Sequence, residues 1–470
     1  MSGHSAESRQ AAGTADTGRA AQTMVDWLHR PQAEIEAMQA ERLRAMLALC
    51  SEGHPYYRQQ WAEQGVDVAS IRTLDDLQSL PLTPKQALMQ APESFRLNIP
   101  ALPLHERVLW EVIYTTGTTS EPTPVYNTTH DYHGYLHQAR RVAEISGIRD
   151  TDLIANLFPL TPAPMGAFVR SATNAYAAGA AIAAGLPGAA HGSFDVHRSL
   201  QASVELVTRH RATVLWGVPS FLRWVLLRAI DSGADFSSLR MCAITGEASS
   251  PAMREELRRC LRQLKAAGSI VFDRYGSTEL GAFAQCQEEG AWHNPTPEIQ
   301  LHEVVDPDTG RRLPDGERGA LAVTHIDRRG TVLLRFLVGD VVSLERGPCP
   351  YCGRSGDRIV GPVVRSKDLV KVKGMLLNPA VLLQLLQAVS AVKEFQLVLQ
   401  RERADDPFSM DEMLLRVATD LPPSQQPALA QSLAEQVRAA VRVSPRVVFE
   451  PAEAISDPRQ TKVQRFLDRR

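Results

Sequence analysis

The sequence predicts an α/β protein with a large N-terminal domain of mostly parallel sheets, a β-rich subdomain, and a small, mobile α+β C-terminal domain. Short apolar runs alternate with amphipathic helical windows from about residue 110 to residue 323, which is typical of parallel strands joined by helices. Alternating strand patterns separated by glycine turns occupy 303–344. New strand and helix patterns begin after residue 365, so we place the domain boundary near Ser366–Lys367.

The N-terminal end and the overall charge exclude several classes of protein. The first twenty residues contain no Val, Ile, Leu, Phe, Trp or Tyr, so we expect residues 1–24 to form a disordered tail without a signal peptide. A cytoplasmic location follows from that expectation. The 51 Lys and Arg against 53 Asp and Glu give a net charge of −2, which offers no electrostatic reason to expect a nucleic acid or an anionic membrane as partner. No apolar run approaches the ~18 residues of a membrane span.

Local patterns predict the elements of the N-terminal domain, residues 25–365. Helical periodicity runs from Met24 to about Gln64 with Pro31 as a break, and a proline-rich loop region follows. Apolar runs predict strands at Leu153–Phe158, Ala212–Trp216, Met241–Ile244 and Ser269–Phe272. A period of 3.6 residues predicts helices at Leu200–His210 and Pro251–Ala266.

The C-terminal domain, residues 366–470, is predicted in the same way. Strand patterns cover Leu369–Val372, Phe395–Leu399, Leu414–Ala418 and Arg446–Phe449. Helical patterns run from Pro379 to about Val389 and over Pro422–Val441.

A hydroxyl-rich loop, Tyr114–Thr123, follows the apolar Trp110–Ile113. Hydroxyls stand on both sides of Gly117, which lets backbone N–H groups approach phosphate oxygens closely. The loop is not a Walker motif because no Gly-Lys-Ser/Thr follows. Taken alone, it is better explained as a Thr-rich surface turn.

Two further motifs follow predicted strands. Tyr275-Gly276-Ser277-Thr278-Glu279 combines an aromatic ring that could stack on a base, two hydroxyls, and a carboxylate suited to Mg²⁺. Gly246-Glu247 stands after the strand at Met241–Ile244. Each could be an ordinary loop if it stood alone.

In chain order, these motifs together with Val338-Gly339-Asp340, Arg365 and Lys462 resemble those of the adenylate-forming acyl ligase superfamily, and most of all its phenylacetate–CoA ligase branch. The resemblance covers nearly the whole chain from about residue 25. It implies ATP and Mg²⁺ as cosubstrates and coenzyme A, or a carrier-protein phosphopantetheine, as the acyl acceptor.

The resemblance also implies a role for each matched residue. Those expected to hold the β- and γ-phosphates of ATP are Thr115, Thr116, Gly117, Thr118 and Thr119. Gly246, Glu247 and Tyr275 would line the adenine pocket, while Asp340 and Arg365 would bind the ribose. Thr278 would contact the α-phosphate and Glu279 would hold Mg²⁺. Lys462 would bridge the substrate carboxylate and the α-phosphate, neutralising charge during the attack on phosphorus.

Three positions depart from the family pattern. Ser120 and Glu121 replace a glycine and an often basic residue in the phosphate loop, and Thr461 replaces the glycine before the catalytic lysine. An acidic side chain near triphosphate would lower the affinity for ATP unless it points away or meets Mg²⁺. Lys367 occupies the hinge position of the superfamily, so a rotating C-terminal domain is expected.

A cysteine and histidine pattern predicts a zinc site in the β-rich subdomain, about residues 286–355. Cys286 and His293 are followed by the Cys349-Pro-Tyr-Cys352-Gly353 turn, and together they form a closed Cys₃His set without an open position for water. We therefore expect a structural rather than a catalytic zinc. The alternative is an unmetallated turn with a surface His293. Three further cysteines, Cys50, Cys242 and Cys260, are expected to be buried.

The predicted reaction is the ATP-dependent conversion of a carboxylic acid to an acyl-adenylate, with release of pyrophosphate, followed by transfer to coenzyme A. By resemblance the acid is an aryl or arylalkyl acid, held by residues from Phe158–Phe168, Trp216–Phe221, Ile244–Glu247 and Tyr275. Delivery to a carrier-protein thiol or a nitrogen nucleophile remains open.

Three alternative functions were weighed against the ligase prediction. A degraded ligase that only binds ligand remains open, on the evidence of Glu121 and Thr461. The string Phe194-Asp195-Val196-His197 is similar to an amine-binding motif, but it precedes a predicted helix, where an Asp cap is common. A zinc-dependent nucleic-acid module is disfavoured because the acidic Glu288, Glu289 and Glu345 surround the ligands.

Overall fold

A computed structural model of the chain describes most of its residues in full atomic detail. The described residues are 25–115, 122–158, 166–187, 198–247, 249–365, 370–372, 375–377, 379–402, 411–441, 443–456 and 465–469.

The N-terminal third begins with helices and a hairpin. Its elements are α1 (Gln32–Gly53), α2 (Pro55–Gln64), α3 (Lys85–Gln90), α4 (Leu104–Arg107), β1 (Leu109–Tyr114), β2 (Pro124–Thr128) and α5 (Thr129–Ser146). The helical periodicity predicted to end near Gln64 contains a second break, because Pro55 starts a new helix that the side chain of His54 caps. β1 and β2 pair with each other as a separate two-stranded sheet.

Strands and helices then alternate as predicted. These elements are β3 (Leu153–Asn156), α6 (Gly166–Ala178), β4 (Ala181–Ala184), α7 (Leu200–His210), β5 (Val214–Gly217), α8 (Pro219–Asp231), β6 (Met241–Ile244), α9 (Pro251–Gln263) and β7 (Ile270–Ser277). β7 is longer than the predicted Ser269–Phe272, because its second half leaves the parallel ladder and pairs antiparallel with the next strand.

Antiparallel strands complete the N-terminal part. They are β8 (Gly281–Gln285), β9 (Trp292–His293), β10 (Gln300–Val305), β11 (Arg318–His325), β12 (Phe336–Glu345) and β13 (Arg358–Arg365). The strand order β10-β11-β12-β13-β9-β8-β7-β6-β5-β3-β4 makes a single sheet of eleven strands. The predicted parallel and β-rich regions therefore share one sheet, and they meet at β7.

The two halves of this sheet have separate apolar cores. One core packs the parallel strands against their helices and includes Ile154, Leu215 and Leu257, all fully buried. The other joins α1 and α2 to the antiparallel strands and includes Leu43, Phe283 and Phe336. Burial of this apolar area on both faces is the main force that holds the sheet in place.

The last hundred or so residues build a smaller α+β unit, a size typical of a domain. Its elements are β14 (Val370–Val372), β15 (Met375–Leu377), α10 (Pro379–Gln387), β16 (Glu394–Arg401), β17 (Asp411–Ala418), α11 (Gln426–Val441), β18 (Arg446–Phe449), α12 (Ala452–Ile455) and β19 (Phe466–Asp468). A four-stranded sheet in the order β18-β17-β16-β19 packs on its own apolar core. The helix predicted from Pro422 begins only at Gln426, because hydrogen-bonded turns follow Pro422 and Pro423.

The α/β fold class predicted from the sequence is confirmed, and β6, α7 and β18 have the predicted bounds. Within the described ranges, no helix is long and apolar enough to cross a membrane. The exact domain boundaries and the hinge at Lys367 stay predictions, since residues 366–369 lie outside the described residues.

Candidate active site and candidate metal centre

Strand pairing brings the predicted ribose-binding residues together. Asp340 on β12 and Arg365 on β13 are direct partners across the antiparallel ladder. The Tyr275 hydroxyl donates a hydrogen bond of 2.6 Å to Asp340 Oδ2, and Arg365 Nε lies 3.7 Å from Asp340 Oδ1. Arg365 is largely exposed while Asp340 is almost buried. A fixed carboxylate beside an accessible cation is suited to accept a vicinal diol.

The pKa values in this cluster follow from burial. Burial and the nearby Asp340 carboxylate raise the pKa of Tyr275 well above its ordinary value. The phenol therefore stays protonated and donates a hydrogen bond to Asp340. Burial also raises the pKa of Asp340, although Tyr275 and Arg365 oppose that shift. The three side chains therefore act as one hydrogen-bonded unit.

Glu279, the predicted magnesium ligand, is buried in the turn between β7 and β8 and pairs with a lysine that the motifs did not indicate. Lys85 Nζ, at the start of α3, lies 2.9 Å from Glu279 Oε1, and the Glu279 side chain is 2% exposed. Burial would raise the pKa of Glu279, but the charge and hydrogen bond of Lys85 outweigh it and hold that pKa below its usual range. Thr278, beside it, is half-buried in the same turn.

The Gly246–Glu247 motif follows β6 at the carboxyl edge of the parallel strands. Gly246 has a φ of +85°, a conformation that favours glycine. The Glu247 carboxylate accepts a 2.6 Å hydrogen bond from the Ser220 hydroxyl and lies 3.4 Å from Arg465 of the C-terminal unit. Arg465 also pairs with the buried Glu394 of β16 at 3.0 Å. Glu247 therefore links the predicted adenine pocket to the C-terminal unit.

The phosphate loop is described only at its ends. Thr115 N donates to Thr123 O at 2.9 Å, and Thr115 Oγ1 accepts from Thr123 N at 3.2 Å, so the two close the neck of the β1–β2 hairpin. The other predicted site residues that lie outside the described residues are Thr116, Gly117, Thr118, Thr119, Ser120, Glu121, Lys367, Thr461 and Lys462. The amine-binding string at 194–197 also lies outside them.

The predicted zinc ligands converge into one cluster. The ligand atoms of Cys286, His293, Cys349 and Cys352 all lie within 4.8 Å of one another. The Cys286 and Cys349 Sγ atoms are 3.9 Å apart, and Cys352 Sγ is 3.7 Å from His293 Nε2. A tetrahedral zinc with Zn–S bonds of about 2.3 Å needs Sγ–Sγ separations of about 3.8 Å, and the Cys286–Cys349 separation of 3.9 Å matches that value.

The environment of the cluster suits a closed metal centre. His293 is 1% exposed, so it is not the surface residue of the alternative interpretation. Burial and the two neighbouring thiols raise the pKa of Cys286 to about 12, because neighbouring thiolates repel one another when no cation lies between them. The Cys349–Gly353 turn is closed by a 2.9 Å backbone hydrogen bond, and Gly353 has a φ of +70°.

Sequence reasoning missed two features of the candidate active site. Lys85 stands in a loop region far from every motif, and no local pattern marks it. Arg465 has no role predicted from the sequence, whereas the fold makes it the partner of both Glu394 and Glu247. The remaining three cysteines, Cys50, Cys242 and Cys260, are fully buried as predicted.

Comparison with known proteins identifies the family. The family model of AMP-binding enzymes matches residues 20–326. The phenylacetate–coenzyme A ligase of Thermus thermophilus is 26% identical over 94% of this chain and 98% of its own length. The Escherichia coli enzyme of the same name is 26% identical over 88% of this chain and 91% of its own length.

Solved structures share the fold. A crystal structure of 2-hydroxyisobutyryl-CoA ligase in the postadenylation state, in complex with an acyl-AMP, aligns with a TM-score of 0.77 at 21% identity and covers 94% of this chain and 91% of that chain. Because the family model matches well over half of the sequence, the chain belongs to the family of AMP-binding enzymes.

Proposed function

We propose that this protein is an adenylate-forming acid–CoA ligase. A carboxylate oxygen of the substrate attacks the α-phosphorus of ATP, pyrophosphate leaves, and an acyl-AMP forms. The thiolate of coenzyme A then attacks the acyl carbonyl carbon and AMP leaves. The observation that carries this proposal is the cluster of Tyr275, Asp340 and Arg365 beside the buried Glu279, in a chain of the AMP-binding family.

The cluster suggests a role for each member. Asp340 accepts hydrogen bonds from the ribose hydroxyls, with its second oxygen oriented by Tyr275. Arg365 lies beside it and is exposed enough to reach the same sugar. Glu279 is the carboxylate for Mg²⁺, which would compete with Lys85 for it. Thr278 and Lys462 act on the α-phosphate, and the loop from Thr115 to Thr119 holds the terminal phosphates.

An aryl or arylalkyl acid is the proposed substrate class, supported by the relatives named phenylacetate–coenzyme A ligases. The same names support coenzyme A as the acceptor. A carrier-protein thiol or a nitrogen nucleophile is the second candidate, and a ligase that has lost catalysis is the third. A cytoplasmic location fits a chain in which none of the six cysteines is paired in a disulfide.

We propose that the Cys286, His293, Cys349 and Cys352 cluster holds a structural zinc. The set leaves no ligand position for water or substrate, so it contributes folding energy rather than chemistry. The C-terminal unit, with a hinge at Lys367, acts as the lid that alternates between the two half-reactions.

Acid-dependent release of pyrophosphate from Mg-ATP tests the first half-reaction, measured over aryl, amino-aryl and fatty acids with and without coenzyme A. We expect release with an aryl acid and a CoA thioester when coenzyme A is present. Lys462→Ala should lower pyrophosphate release by roughly 100- to 1,000-fold while the thermal melting temperature is unchanged. Release without a thioester would move the acceptor to another nucleophile. The absence of pyrophosphate release with every acid, in a protein that still binds ATP, would favour the degraded-ligase hypothesis.

A further inference from the structure

One buried arginine differs from the others that the structure describes. Arg274, on β7, is 5% exposed, and among the described residues no carboxylate lies within ion-pair distance of its guanidinium. The other buried arginines all pair with a carboxylate; they are Arg254, Arg335, Arg358 and Arg465. Burying a cation without an anion is strongly unfavourable, so an unpaired one calls for a compensating ligand or a special structural role.

The contacts of Arg274 leave most of its donors unused. Nη2 lies 3.3 Å from the Ser146 hydroxyl, and the guanidinium carbon is 4.1 Å from the centre of the Trp216 ring. Nε is buried and has no hydrogen-bond partner. Burial lowers the pKa of Arg274 to about 10, so the group remains charged at neutral pH. The indole covers one face of the guanidinium and leaves its N–H edge free to donate.

The sheet places this edge where ligands enter α/β folds. Trp216, Ala243 and Phe272 are register partners across β5, β6 and β7, and Arg274 follows Phe272 by two residues, so it lies on the same face. The methyl group of Ala243 leaves room for the guanidinium to reach Trp216. The parallel ladder of β7 ends at Asp273, which puts Arg274 at the carboxyl edge, beside Tyr275 of the nucleotide cluster. Crevices at this edge are the usual ligand sites of such sheets.

We propose that Arg274 and Trp216 form a subsite for a second anionic group of the acid, so that the preferred substrate is an aromatic dicarboxylic acid. This inference rests on the proposed function, because it assigns the acid that the same site activates. One carboxylate is activated and the other accepts hydrogen bonds from the free guanidinium edge, while the indole packs against the ring-bearing part of the substrate. A carboxylate matches the planar fork of an arginine in two parallel hydrogen bonds.

A structural role makes a different prediction. Ser146 is the last residue of α5, and a cation near a helix C-terminus stabilises the helix. If this contact alone keeps Arg274 in place, its removal should lower the melting temperature and leave the choice of acid unchanged.

The test compares matched acid pairs, benzoate with isophthalate and phenylacetate with homophthalate, by kcat/KM for pyrophosphate release. We expect the wild type to prefer the diacid of at least one pair by about tenfold or more. Arg274→Leu should lower kcat/KM for the dicarboxylic acid by roughly 10- to 100-fold, the loss expected for a charged hydrogen-bonded contact. It should not lower kcat/KM for the monocarboxylic acid of the same pair. Arg274→Lys should retain part of the preference. Arg262→Leu, which removes a half-exposed arginine of α9, is the matched control.

The outcomes separate this inference from the proposed function. Pyrophosphate release with the monocarboxylic acids only, and an unchanged acid preference in Arg274→Leu, would refute the second-carboxylate subsite. The proposed ligase activity would still stand. If no acid releases pyrophosphate, calorimetric binding of isophthalate and benzoate in the presence of AMP still tests the subsite. The subsite requires tighter binding of isophthalate than of benzoate, and Arg274→Leu should abolish this difference. Should Arg274→Leu not fold, the same comparison is made with Arg274→Lys, and an unchanged acid preference there would reject the proposal.

Discussion

Tyr275 and Asp340 are joined by a 2.6 Å hydrogen bond that connects the end of the parallel sheet half to the middle of the antiparallel half. Tyr275 lies on β7, where the two halves meet, and Asp340 lies on β12, which is four strands away in the sheet order. Two residues that are four strands apart in the sheet order are therefore in direct contact. It orients one oxygen of a nearly buried carboxylate before any nucleotide arrives.

Tyr275→Phe should weaken nucleotide binding without abolishing it. The ring that could stack on the base stays, while Asp340 loses the donor that orients it. Because a hydrogen bond to a charged group contributes about 1.5–3 kcal/mol, we expect the Kd for AMP to rise roughly 10- to 100-fold at most. Isothermal titration calorimetry with AMP measures this change directly.

Asp340→Ala should have the larger effect on ATP and little effect on acid binding. Tyr351→Phe is the control for the loss of a phenol, because Tyr351 is 71% exposed in the Cys349–Gly353 turn. An unchanged Kd for AMP in both Tyr275→Phe and Asp340→Ala would refute the assignment of this cluster to the ribose.

The sequence predicted the separate parts of this cluster but not all of its pairings. Tyr275, Asp340 and Arg365 were recognisable from the motifs and their order along the chain, which the sequence shows directly. The Asp340–Arg365 pairing depends on the register of β12 and β13, which a bulge shifts between Val341 and Ser343. Hydrophobic alternation indicates which face of a strand is buried, but it does not reveal a bulge.

Lys85 illustrates what local patterns cannot provide. It lies 194 residues before Glu279, and its ion pair exists only because α3 packs against β12. The meeting of Cys286, His293, Cys349 and Cys352 was predictable for the opposite reason. Cysteine and histidine pairs at short spacings are typical of metal-ligand sets, so their residue type indicated that they meet. Chemistry that is carried by residue type was predicted, and chemistry that is carried by packing was not.

Lys85→Ala should destabilise the protein at neutral pH by leaving Glu279 buried and unpaired. We expect a loss of about 1–3 kcal/mol in the free energy of unfolding at pH 7, since Lys85 is partly exposed and its partner is not. The folded-state pKa of Glu279 lies below its ordinary 4.5, so the pair stabilises the wild type above that pH and the contribution is lost as pH falls through the folded pKa. Urea unfolding followed from pH 7 down to about pH 3 should therefore show the difference in free energy of unfolding between variant and wild type shrinking at the acidic end.

Lys393→Ala is the matched control for this measurement. Lys393 pairs with Asp420 at 2.8 Å, but both side chains are mostly exposed, so the loss should be close to zero. Equal losses in the two lysine variants, or a difference between Lys85→Ala and wild type that does not depend on pH, would contradict the buried-pair interpretation.

Metal analysis should find about one zinc per chain in protein purified without chelator. Replacing both Cys349 and Cys352 by serine should remove the zinc and lower the melting temperature, because zinc binding stabilises only the folded chain. Replacing the buried Cys50 or Cys242 by alanine should leave the zinc content unchanged, even where core packing suffers. Metal-free wild-type protein with a normal melting temperature would rule out the site.

Glu247→Gln should slow adenylation while preserving the fold. The amide oxygen can still accept a hydrogen bond from Ser220, but the negative charge that faces Arg465 at 3.4 Å is gone. Both side chains are largely buried, so their ion pair stabilises the contact more than a surface ion pair would. We therefore expect kcat for pyrophosphate release to fall by roughly 2- to 10-fold, because the C-terminal unit is held less firmly.

Glu450→Gln is the control, because it disrupts an ion pair with Arg416 that lies wholly within that unit. The two half-reactions should respond differently: the thiol step, measured from isolated acyl-AMP and coenzyme A, should be unaffected in Glu247→Gln. Equal slowing of both steps would mean that Glu247 acts on the nucleotide and not through Arg465.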